Sequence, residues 1–262
     1  MMSSINKRQC ILVTLLIVFF LSITLVSAQF IINFSTAKTG NSNYVLHDKT
    51  EVTNFLVNHY GESYSCSEFK SSMILNRPNI KQSTMNDQFK YLTGMSVTGT
   101  CSEVATTQLI KSYGYASTYG YPSTYKHIMT IAKDKKYWTS AGTASNKIDS
   151  LVTDSFKFFG SKKRGNNDYL NIYSTITKYI NQNKTLLFSC SDHTMHVVGY
   201  ATWEVRYKQN VLGTNKYYRI NEHFVVVNDG WYDASSNEKN RQFSYYPASL
   251  INIRDFVLTK VV

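Results

Sequence analysis

The chain has 262 residues, with 28 Lys plus Arg against 17 Asp plus Glu, a formal charge of +11 at neutral pH. An aromatic content of 14% excludes a disordered chain. The positive charge is spread rather than blocked and no nucleic-acid motif accompanies it, which argues against a nucleic-acid partner and suits an anionic cell surface.

At the N-terminus Lys7 and Arg8 precede an apolar run of 17 residues from Cys10 to Val26, which closes on Val26-Ser27-Ala28. A cationic flank, a run of that length and small residues at its end make a secretory signal peptide over residues 1–28. An uncleaved membrane anchor is the competing reading, because 17 residues is the lower limit for crossing a bilayer. Both put the rest of the chain outside the cytosol, secreted or attached to the cell surface. Removal of the leader leaves a charge of +9 and Cys66, Cys101 and Cys190, an odd number, so at least one thiol is free or pairs between molecules.

Residues 29–86 mix short apolar runs (FIINF, SSMIL) with polar loops, and EVTNFLVNHY has the spacing of one amphipathic helix. This stretch reads as an N-terminal extension or pro-segment ahead of a domain over 87–262. Cys101 to Tyr113 predicts a helix, with Val104, Ala105, Leu109 and Tyr113 on one stripe and Gly114 as its stop. YKHIMTIAKDKKY and YLNIYSTITKYINQN predict two more. Beyond them TLLFS, HVVGYATWEVRY, KYYRI and HFVVVND are β-branched and aromatic runs separated by turn residues, the pattern of an antiparallel sheet. A helical portion leading into a sheet is the α+β class.

Thr100-Cys101-Ser102-Glu103 has the form of a capping box with Cys101 as the first helical residue. The positive end of the helix would there favour a thiolate, whereas the commoner fate of a lone cysteine is a small buried hydrophobe. Gly99 would allow close backbone approach just before it. A thiolate also needs an imidazole. Of His47, His59, His127, His193, His196 and His223, two lie on one apolar strand in DHTMHVVGY. Residues three apart on a strand face opposite ways, so His193 and His196 cannot both face the cysteine. Asp192, His193 and His196 as metal ligands would need a helix where the sequence is β-like. The Asn228-Asp229-Gly230 step, taken alone, is an ordinary turn after a strand.

The segment TGTCSEVATTQLIKSYGY resembles the nucleophile helix of streptopain-type and double-glycine-peptidase-like secreted cysteine peptidases, of the papain-like superfamily. The matching residues are Cys101, Ala105, Gln108, Leu109, Ile110, Lys111 and Tyr113. The resemblance implies a papain-like fold and peptide-bond hydrolysis without a cofactor or metal, by a monomer acting on a polypeptide. It implies Cys101 as nucleophile and His193 as base, six residues before Gly199-Tyr200. It also implies an orienting residue before a shielding Trp231, either Asp229 or its alternative Asn228. The family's side-chain oxyanion donor corresponds here to Met95, leaving Ser96, Thr98 or Gln88 as substitutes. Residues 201–222 form a long polar hairpin, read equally as a substrate-side flap or a plain extension of the sheet. A cell-wall amidase, a transglutaminase-type acyl transferase and an inactive papain-fold binding protein are the competing functions.

Overall fold

The computed structural model describes residues 44–60, 65–77, 79–231, 243–251 and 256–262, with only the backbone of 65–68. The leader, FIINF and the side chain of Cys66 lie outside the described residues. The chain divides into units Met1–Thr39 and Gly40–Val262, and the described residues all belong to the second.

Among the described residues six α-helices and nine strands follow in chain order: α1 (Lys49–Tyr60), β1 (Ser65–Ile74), α2 (Gln82–Thr93), α3 (Cys101–Ser112), α4 (Tyr121–Asp134), β2 (Trp138–Thr139), β3 (Gly142–Thr143), α5 (Ile148–Phe158), β4 (Gly165–Asp168), α6 (Ile172–Asn181), β5 (Leu186–Ser189), β6 (Thr194–Val211), β7 (Thr214–Asn228), β8 (Ser244–Pro247) and β9 (Val257–Val261). The class is α+β. Seven strands make one antiparallel sheet in the order β4-β9-β5-β6-β7-β8, with β1 also pairing β6.

Side-chain alternation divides the core between the two faces of this sheet. Leu186 and Phe188 pack with Met195, Val197 and the Ile172-Ile176-Ile180 stripe of α6. Leu187, between them, meets the opposite cluster built by Leu109 and Ile110 of α3, Ile128 and Ala132 of α4, and Leu151, Val152 and Phe156 of α5. Each stripe recurs every three or four residues, which is why these segments become helices once a sheet offers a surface to cover.

The helices expected over 51–60, 101–113, 125–137 and 169–183 are present as α1, α3, α4 and α6, α4 starting earlier at Tyr121 and ending at Asp134 and α6 confined to Ile172–Asn181, and α2 and α5 are additional. The two runs KYYRI and HFVVVND form one continuous strand, β7, because the whole of it pairs β6 from Thr214 to Asn228. Where β1 crosses β6, a Cβ on Gly199 would stand 2.5 Å from the carbonyl oxygen of Met73, so the register shift between Val197 and Gly199 is open only to a residue without a side chain.

The described residues 44–60 and 65–77 share this architecture. Val52 and Leu56 of α1 are fully buried against Val205, Phe224 and Val226. Leu46 bridges Tyr245, and β1 occupies the edge of β6 next to β5.

Candidate active site

Cys101 opens α3, as its place after Thr100 predicts, but the capping box does not form. Thr100 makes no side-chain cap, and its hydroxyl donates to Asn86 Oδ1 at 2.7 Å. Glu103 instead accepts a hydrogen bond from Thr143 of β3. The competing partner wins because the β2–β3 hairpin lies directly on this turn: Trp138 Nε1 donates to the Thr98 carbonyl at 3.0 Å and Thr98 Oγ1 to that of Ser140 at 3.3 Å. Gly99, at φ +62°, is where the two chains touch, and a Cβ there would lie 2.8 Å from the amide nitrogen of Gly142. Its lack of a side chain serves close approach, to this hairpin.

Helix α3 is bolted to the sheet beside Cys101. Ser102 Oγ and Thr194 Oγ1 are 2.9 Å apart, and Ser189 Oγ is 3.2 Å from the same Thr194 oxygen. The sulfur itself interacts with the amide of Thr194, the residue after His193. Folding therefore brings the start of a helix against the start of a late strand, joining residues 92 apart in sequence.

His193 ends a tight turn between β5 and β6. Its carbonyl accepts from the Cys190 amide at 2.8 Å and from the Cys190 thiol at 3.3 Å. Its ring is buried, with Nε2 at 2.7 Å from the main-chain carbonyl of Asp229, and the Trp231 indole is stacked on it at 4.1 Å and 23°. A carbonyl only accepts, so Nε2 carries the proton and Nδ1 keeps the lone pair. The orienting group at position 229 is thus the peptide oxygen. The Asp229 carboxylate turns away and accepts from Ser244 Oγ at 2.5 Å, from the Trp231 amide at 2.8 Å and from His47 Nδ1 at 3.2 Å. Asn228 directs Nδ2 to the Arg77 carbonyl at 3.2 Å.

His196 departs from expectation. It faces α3, with Nδ1 at 3.2 Å from Gln108 Oε1, on the same helix as Cys101. Strand pairing starts at Thr194, so the alternation used to separate the two histidines does not extend back to His193. Gln108 also donates from Nε2 to Asn79 Oδ1 and the Ile80 carbonyl, both at 3.4 Å, which ties the segment before α2 to α3. Lys111 and Tyr113, further members of the same motif, close the Ala116–Tyr119 turn and reach the Thr185 carbonyl.

Burial dominates the electrostatics. It pushes the Cys101 thiol above its ordinary value, and the Glu103 charge adds to this while the Thr194 amide opposes it. It lowers His193, against the hydrogen bond to Asp229 and the charges of Asp229 and Asp192. Both shifts run against the expected ion pair, and among the described residues no hydrogen bond joins Cys101 and His193. Burial also lifts Cys190 to about 12, the nearby Asp192 charge adding to it, and takes His196 down to about 3. At Asp229 burial is outweighed by the hydrogen bonds from His47, Ser244 and Trp231, so the carboxyl lies below the usual range.

The crevice over the sulfur is bounded by Gln82, Val104, Gln108, Thr194 and Asp229, among others. None of the sequence-based oxyanion candidates reaches it. Met95 is exposed, its sulfur accepting from Lys133 Nζ at 3.2 Å, Ser96 and Gln88 are exposed, and Thr98 serves the hairpin. Gln82, the first residue of α2, does line it, held there by its amide donating to the Gly230 carbonyl at 2.8 Å. At 19 positions before Cys101 it carries no local spacing signal. Among the described residues no three His, Cys, Asp or Glu side chains converge as a metal site requires.

Comparisons with known proteins find no similar family model, curated protein or solved structure.

Proposed function

We propose that this chain is a secreted cysteine peptidase of papain-like fold that hydrolyses peptide bonds through Cys101 and His193. The observation that carries the reading is the setting of His193: one nitrogen held by the Asp229 carbonyl, the ring covered by Trp231, and the adjacent Thr194 hydrogen-bonded to Ser102, the residue after the cysteine at a helix start. A buried structural histidine does not require an aromatic lid over its hydrogen bond. A base does, because excluding water strengthens the bond that orients it.

In this reading His193 Nδ1 takes the proton from the Cys101 thiol as the sulfur attacks the scissile carbonyl carbon. The same imidazolium then protonates the leaving amine as the C–N bond breaks, giving an acyl-enzyme that water hydrolyses. The developing oxyanion is met by the amides of the first turn of α3, which no side chain caps, with the Gln82 side chain as second donor. Desolvation keeps both groups neutral in the free protein, so proton transfer accompanies substrate binding.

One observation favours a second reading, a binding protein with this fold and no turnover: among the described residues no hydrogen bond joins Cys101 and His193, and burial shifts both groups away from the charged pair. The experiment that separates the two is hydrolysis of an unfolded protein by the wild type and by Cys101→Ala. Cleavage lost in the variant, with unchanged circular dichroism, is the expected result. Equal cleavage by both removes Cys101 as nucleophile, and no cleavage by the wild type favours the binding reading.

A further inference from the structure

The Asp229 carboxylate is buried, yet the bond that orients His193 is made by its main-chain oxygen. The carboxylate must act on something else. Oδ1 accepts from the Trp231 amide two residues on, closing a turn that fixes both the carbonyl beneath His193 and the indole above it. Oδ2 accepts from Ser244 of β8 and from His47. His47 comes from the start of the described chain, and its Nδ1 also lies 3.5 Å from Ser244 Oγ. Its amide donates to Glu51 Oε2 at 2.7 Å, Leu46 bridges Tyr245, and its ring stands 6.3 Å from that of Trp231.

We infer that His47 is a positioning residue of the catalytic centre: by holding the Asp229 carboxylate it fixes the carbonyl and the indole that clamp His193, so the segment around it is a working part of the enzyme rather than a removable leader. The inference rests on the peptidase reading for its kinetic consequence only. The geometric link runs from a donor at His47 through one carboxylate to the two groups that touch the base. Ser244 holds the same oxygen from the opposite end of the chain, but it sits on a strand next to β7 and cannot pull the loop toward α1. His47 is the contact that does so. Without it the Asp229–Trp231 turn keeps Ser244 and the Gln82 amide as outside anchors but loses its tie to the His47 segment, so the carbonyl under Nε2 shifts and Nδ1 loses its fixed direction.

The test compares wild type, His47→Ala and His47→Asn, the last keeping a neutral N–H donor near the position of Nδ1. The His193 ring nitrogens are followed by 15N NMR, and kcat and KM are measured on an unfolded protein substrate. Expected for His47→Ala is a shift of the His193 Nε2 resonance away from its hydrogen-bonded position and a fall in kcat on the order of 10–100-fold with KM nearly unchanged, the cost of a base displaced by a fraction of an ångström to an ångström. His47→Asn should restore both. An unmoved His193 resonance in His47→Ala overturns the inference, as does a His47→Asn variant no better than His47→Ala. Should His47→Ala fail to fold, His47→Asn against Ser244→Ala decides it: the inference requires His47→Asn to keep the wild-type resonance. A wild type that cleaves nothing defeats the peptidase reading instead, and the NMR result still decides the role of His47.

Discussion

Glu103 offers the sharpest test of how burial governs this site. Its side chain is fully buried two residues after Cys101, one carboxylate oxygen accepts from Thr143, and the other has no hydrogen-bond partner among the described residues. Burial lifts its pKa from 4.5 to about 7, the Thr143 hydrogen bond opposing this only in part. The folded protein therefore binds this proton more tightly than the unfolded chain does. Stability from this group is fully present below pH 4.5 and is lost as pH rises through about 7. At about 1.4 kcal/mol for each pH unit of difference, the loss is on the order of 3 kcal/mol. For a domain of this size that corresponds to roughly 6–12 °C in Tm. Glu103→Gln keeps the shape and the acceptor for Thr143 but cannot ionise. The variant should be slightly less stable than wild type at pH 4.5, because its amide hydrogens are buried without partners, and more stable at pH 8. Scanning calorimetry of the two proteins between pH 4.5 and 8.5 measures this directly. A difference in Tm that stays flat across the range would refute the claim that Glu103 is held protonated by burial.

Two further outcomes follow from the same geometry. Alkylation of Cys101 by iodoacetamide in the free protein should climb toward alkaline pH with no acid plateau, since burial raises the thiol and lowers the imidazole. A plateau below pH 6 would show a preformed ion pair. Gln82→Ala should lower kcat on the order of 10²–10³-fold with little change in KM, the cost of losing one oxyanion donor. Gln88→Ala should leave both unchanged, and the reverse pattern would move the donor to Gln88.

Much of the architecture was legible in the chain. The 3–4 spacing in Tyr121–Asp134 and Ile172–Asn181 and the β-branched runs from Leu186 onward are local patterns, and local patterns survive folding when a sheet is available to cover. Helix α2 escaped because only Met85 and Phe89 of its residues are buried, too few to form a periodic signal. Helix α5 carries a regular buried stripe, Ile148, Leu151, Val152, Ser155 and Phe156, so its signal is present in the chain. The capping box was a sound pattern with the wrong outcome: Thr100 and Glu103 met Asn86 and Thr143, partners 14 and 40 residues away.

The sequence alone determined the α+β class and Cys101 at a helix start, because each is written in neighbouring residues; the histidine just before a late strand and the Trp that covers it followed from the family resemblance. Only the tertiary structure decided which atom of Asp229 meets His193, that Gln82 rather than a residue nearer the cysteine borders the crevice, and that His47 backs the site. Those depend on where separate segments cross. Whether the thiol is charged also belongs to the folded state, since desolvation by surrounding elements outweighs the local helix field that the sequence suggests.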